Sequence, residues 1–109
     1  MATNTFTSYM NKNVGTSPAN VVTVGASTQT TVIGLSFANT TTSPITASAY
    51  VTRSAVNYYL ITNATVPVGS SLVVVGGDQK VVMVTGDVLT VVTSAASSAD
   101  VVTSVLNIT

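Results

Sequence analysis

The sequence has no Cys, no His, no Trp and no Glu. Without Cys there are no disulfides, thiolate metal sites or cysteine nucleophiles. Without His, the commonest general base and the commonest metal ligand are both missing. Apart from Tyr, the ionisable side chains are Lys12, Arg53 and Lys80 against Asp78, Asp87 and Asp100, six in 109 residues. Three cations cannot neutralise a run of phosphates, so nucleic acid is not an expected partner. No apolar run approaches the roughly 20 residues of a membrane helix, so a membrane is not expected either. The opening stretch MATNTFTSYMNKNVG lacks the basic end and apolar run of a secretory signal. So sparse a charge implies a surface covered by partners or one solvated by Ser, Thr and Asn.

What is abundant is β-branched. Val (21) and Thr (20) make up over a third of the chain, whereas Leu contributes 5. Both are stiff at χ1 and suit a pleated surface. The length fits one domain with one core. Residues 1–18 are polar and irregular and read as an N-terminal arm with room for one short strand, with Phe6, Tyr9, Met10 and Val14 as its apolar members. The β domain then runs over 19–109.

Period-two alternation predicts about eight strands. They cover Ala19–Ala26, Thr31–Asn39, Ile45–Arg53, Asn57–Ala64, Leu72–Val75, Lys80–Val84, Val88–Thr93 and Val101–Ile108. In the second, Ile33, Leu35 and Phe37 share a face; in the third, Ile45, Ala47, Ala49 and Val51 do. Gly76-Gly77-Asp78-Gln79 between two apolar runs predicts a hairpin, and Thr85-Gly86-Asp87 a tight turn. This spacing of antiparallel strands fits a sandwich or a closed barrel. No segment calls for a crossover helix, so a parallel sheet is not expected.

Little here can do chemistry. Asp78 and Asp87 each follow a Gly and read as turn residues, and Asp100 as a loop cap. The Gly76-Gly77 pair lacks the Lys-Ser/Thr ending and the helix of a phosphate loop. Ser and Thr are plentiful, but no base stands by to activate them. Neither an enzyme nor a cofactor or metal is expected. Tyr50 and the Tyr58-Tyr59 pair are the polar aromatics that can stack on a sugar or anchor an interface. By strand parity Tyr58 faces in, while Tyr59 and Ile61 face out and make an apolar contact patch. Asn39, Asn63 and Asn107 match the glycosylation pattern, as chance allows with 33 Ser and Thr.

From Tyr58 onward the chain resembles a segment of small virion structural proteins of tailed phages, including those of cyanobacteria. The marks are Val66-Pro67-Val68-Gly69-Ser70-Ser71-Leu72, Gly77-Asp78-Gln79-Lys80, Gly86-Asp87-Val88-Leu89 and Ser97-Ser98-Ala99-Asp100-Val101 with Ser104-Val105-Leu106. The resemblance implies an antiparallel β-sandwich, Ig-like or jelly-roll-like. It also implies a head decoration (cement) protein on the capsid surface, made in the host cytoplasm. Its partners would be the major capsid protein and further copies of itself, with a trimer favoured. The alternatives are a tail or head–tail connector protein and a receptor- or glycan-binding tail module. Phe6, Tyr9, Met10 and Lys12 of the arm, with Tyr50, Tyr59 and Ile61, are the candidate interface residues.

Overall fold

The computed structural model describes residues 3–76 and 80–109. Nine strands fill it and no helix occurs among the described residues: β1 (Asn4–Val14), β2 (Ala19–Thr23), β3 (Gln29–Asn39), β4 (Ile45–Arg53), β5 (Val56–Val66), β6 (Ser71–Val75), β7 (Val81–Met83), β8 (Val88–Thr93) and β9 (Ala99–Ile108). One antiparallel sheet runs β1-β9-β3-β6, with β7 also on β3; the other runs β2-β8-β4-β5. With β6 and β7 counted as one interrupted strand, the first, last, third and sixth strands form one sheet. The second, seventh, fourth and fifth form the other. That is the double Greek key of a jelly roll.

The segment read as an arm is a strand of the first sheet. Residues Asn4 to Asn11 pair without interruption with Ile108 down to Val101, and Thr3 and Thr109 exchange backbone hydrogen bonds at 2.8 and 3.0 Å. No alternation announced it because an edge strand buries so little: Tyr9 and Asn11 are half-buried and only Val14 is buried. At its end, Val14 and Gly15 are clamped to the loop before β9. The Ser98 amide donates to Val14 O at 2.9 Å and the Thr93 amide to Gly15 O at 2.9 Å. The Thr93 and Ser98 hydroxyls meet at 2.6 Å beneath them. A Cβ on Gly15 would stand 3.0 Å from the Ser97 nitrogen and 3.1 Å from the Ala96 Cα, so any other residue would push that loop back by a few tenths of an ångström.

The core lies between the sheets. Val32, Leu35, Phe37, Val101 and Val105 from one side meet Ala47, Ala49, Val51, Leu89 and Val91 from the other. The inward face expected for β4 is observed. That of β3 is observed for Leu35 and Phe37 but not for Ile33, because its pairing with β9 slips between Val32 and Gly34. Before the slip Thr30 and Val32 point inward; after it Leu35 and Phe37 do, and Ile33 is left half-buried. An extra residue in one strand of a pair switches its parity.

The hairpin expected around Gly76 does not form. β6 pairs with Leu35–Ala38 and β7 with Thr30–Val32, so the two runs lie in line along β3. Gly77, Asp78 and Gln79 are outside the described residues. The turn at Gly86 is as expected: the Asp87 amide donates to Val84 O at 3.0 Å and Gly86 has φ 92°, the type II arrangement.

Candidate functional site

Among the described residues, ion pairs join Arg53 to Asp87 and Lys12 to Asp100. The Arg53 guanidinium grips Asp87, with Nε at 2.9 Å from Oδ1 and Nη2 at 2.6 Å from Oδ2. The Val84 amide donates to the same carboxylate at 3.0 Å. The Asp87 side chain is 1% exposed and that of Arg53 49%. This hydrogen-bonded cation holds the Asp87 carboxyl below the usual carboxylate range, against the opposing effect of burial. Asp87 is therefore a turn residue that also ties β8 to the end of β4. Asp100 stands in β9 rather than capping a loop. It accepts from the Asn13 amide at 3.1 Å, which lowers its pKa together with Lys12, 3.3 Å away. Among the described residues no three His, Cys, Asp or Glu come together as a metal site.

The seven candidate interface residues fall in three places. Directly paired residues share a face, so β9 sorts β1. Tyr9 stands opposite buried Thr103 and points inward, half-buried on the core. Phe6 and Met10 stand opposite Leu106 and Val102 and point outward, each 74% exposed. Lys12 shares their parity at the far end of the strand. Tyr50 and Tyr59 meet on the outer face of the second sheet, ring centroids 5.0 Å apart. Ile61 is not beside Tyr59. Pairing of β4 with β5 slips twice, between Ala47 and Ala49 and again between Ala49 and Tyr50, which sets Ile61 opposite buried Ala49. It packs on the core side. Tyr58 does face inward, opposite Val51, yet 58% of it is exposed. The sandwich is open there, and Tyr58, Leu60 and Val81 line a cleft of about 360 Å³.

The larger apolar surface lies at valines not singled out from the sequence. Val73 pairs with outward Ser36, Val82 with outward Thr31, and Val102 with both Ser36 and Met10. Phe6, Met10, Val73, Val82 and Val102 are thus five of the ten exposed large hydrophobic side chains among the described residues, all on the outer face of the first sheet. One signal did point there. Leu72–Val75 and Val81–Val84 are apolar at both parities, so any strand they form carries apolar groups on both faces.

Asn39, at a glycosylation-pattern position, is 6% exposed and fully engaged. Its Nδ2 donates to Ser43 O at 2.9 Å and Val66 O at 3.0 Å, and its Oδ1 accepts from the Thr41 amide at 2.9 Å. Its role is to fasten the crossing between the sheets.

The fold is a jelly roll that presents apolar and aromatic side chains on its outer faces. The sequence matches no known family and no characterised protein. The fold is similar to that of a protein of the Bacillus endospore appendages, described as a novel family of disulfide-linked pili. That match has a TM-score of 0.54 at 14% identity and covers 97% of this chain and 86% of the other. A chain of infectious bursal disease virus, Gt strain, matches with a TM-score of 0.47 at 10% identity over 99% of this chain and 32% of its own. At such identities the likeness is one of fold. The disulfides named for those pili have no counterpart here, where Cys is absent.

Proposed function

We propose that this chain is a virion structural protein, a decoration or cement protein that lies on the outside of a phage head. In this reading it grips the major capsid protein through the outer face of its first sheet. The observation that carries it is the gathering of Phe6, Met10, Val73, Val82 and Val102 on that one face. Exposed apolar groups gathered on one face of so weakly charged a chain favour a permanent neighbour over water. The tailed-phage resemblance of the second half supplies the kind of neighbour. Many copies on a lattice stabilise it collectively, each contributing a modest contact.

The double variant Phe6→Ser/Met10→Ser tests this. Both side chains are 74% exposed in a single copy, so the variant should still fold and melt cooperatively. Losing two buried apolar side chains at an interface, at about 1.5–3 kcal/mol each, should lower occupancy of purified heads in co-sedimentation by at least about tenfold. Full occupancy by the variant overturns the reading.

A second reading, a glycan-binding tail module, is favoured by the stacked Tyr50 and Tyr59. Tyr59→Ala should shift melting by no more than about 5 °C, since one exposed aromatic contact is worth roughly 1 kcal/mol. If Tyr59 also carries glycan binding, that binding vanishes in the same variant. The copy number per virion, by quantitative mass spectrometry, separates the readings: many copies mark a head coat, a handful the neck or tail.

A further inference from the structure

A sheet edge left unprotected pairs with whatever strand fits it, so natural sheets blunt their edges by shortness, Pro, bulges or inward charges. Three of the four edges here are blunted. β5 carries two register slips and a left-handed Asn63 at φ 50°. β2 is five residues long, follows Pro18 and slips between Asn20 and Val22. The edge beyond β3 is split into β6 and β7, five and three residues long. β1 has none of these devices over its first eight residues. Asn4 to Asn11 run in unbroken register on β9, about 27 Å of straight edge, with no Pro and no charge before Lys12.

We infer that this edge pairs with the β1 of a second copy, antiparallel about a two-fold axis through Ser8, joining two first sheets into one. The sequence of β1 is self-complementary about that residue. Phe6 and Met10 stand two positions either side of Ser8 on the same outward face, so the axis lays each Phe6 beside the partner's Met10. This is the register with the longest overlap that matches outer face to outer face and pairs both apolar residues. Aromatic–thioether contacts of this kind are favourable. Lys12 falls opposite the partner's Asn4 and keeps Asp100, 3.3 Å away. Parallel pairing of the same two edges would instead turn the outer face of one copy to the inner face of the other, so Phe6 and Met10 of the two copies could not meet. The pair replaces the trimer that the resemblance implies, and it extends the apolar face across both copies. It does not depend on what that face binds.

The Cys-free chain gives a clean test. Ser8→Cys puts two thiols on the axis at a spacing a disulfide spans, so mild oxidation of the full chain should give a covalent dimer within minutes. Thr5→Cys, far from its own copy in this register, should give none. Sedimentation should return a dimeric mass for the parent and a monomeric one for Phe6→Lys/Met10→Lys, which sets like charges face to face. Phe6→Lys/Met10→Glu should restore the dimer. A monomeric or trimeric parent overturns the inference, as does equal crosslinking at Ser8→Cys and Thr5→Cys, or no rescue by the charge swap. All of these readouts use the isolated protein, so they stand or fall separately from capsid binding.

Discussion

Phe37→Asp should leave no cooperatively folded domain, and Leu35→Asp should do nearly the same. Phe37 is 0% exposed and Leu35 1%. Phe37 lies between Val101 on β9 and Leu72 on β6, Leu35 between Thr103 and Val75. A carboxylate at 37 would be surrounded by hydrocarbon. An unpaired charge taken from water costs several kcal/mol at least, against a total stability of about 5–15 kcal/mol for a domain. Leu35→Asp has one mitigation: the buried Thr103 hydroxyl is without a hydrogen-bond partner and could donate to it. Thermal denaturation followed by circular dichroism should show no transition for Phe37→Asp, while Phe37→Leu, which keeps an apolar group, should melt cooperatively. A cooperative melt of the aspartate variant near the parent temperature would mean that β3 is not the centre of the core.

The second large effect concerns Arg53. In the parent the Asp87 carboxyl is held below its ordinary value by Arg53. A carboxyl depressed in the folded state contributes stability that is fully present above its unfolded pKa, near 4. That contribution is lost as pH falls through the folded value. Asp100 is shifted in the same direction, so acid should unfold the parent progressively below about pH 4. Arg53→Ala removes the cation and leaves Asp87 with the Val84 amide alone in a site that is 1% exposed. Burial then dominates and raises the carboxyl above its unfolded value. The sign of its contribution inverts: it is full in acid and is lost as pH rises above about 4. Melting temperatures measured from about pH 3 to pH 7 should rise with pH in the parent. They should flatten or fall in Arg53→Ala, with the largest deficit at neutral pH. Asp87→Asn/Arg53→Ala should remove the inversion. Parallel curves for parent and Arg53→Ala would show that Asp87 reaches water once its cation is gone.

These two sites differ in how they could be read. Leu35 and Phe37 were legible because alternation over Leu35-Ser36-Phe37 is a local property of the strand. The Arg53–Asp87 pair joins residues 34 apart in sequence, and nothing local says that this arginine is aimed at that turn. Asp87 was legible only as half of its role, the turn residue beside Gly86. The candidate interface was likewise half legible. Phe6 and Met10 stood out as apolar residues in a polar segment. Val73, Val82 and Val102 were not singled out, because a valine in a strand carries no sign of which face is covered. Ile61 was misplaced because a parity count assumes a regular strand, and the register of β5 slips between Tyr59 and Ile61.

By itself the sequence determined the class. Val and Thr in such excess, with period-two alternation and turn residues between the runs, can bury their apolar side chains only as stacked antiparallel sheets. The lack of His, Cys and Glu removed most catalytic chemistry from consideration. Tertiary structure alone decided which strands are neighbours and where register slips. It made the polar first segment an edge of the sheet and set Val73, Val82 and Val102 on one outer face. Those choices rest on hydrogen bonds and packing between residues far apart in the chain, whose energies depend on the partner and leave no periodic trace in either sequence.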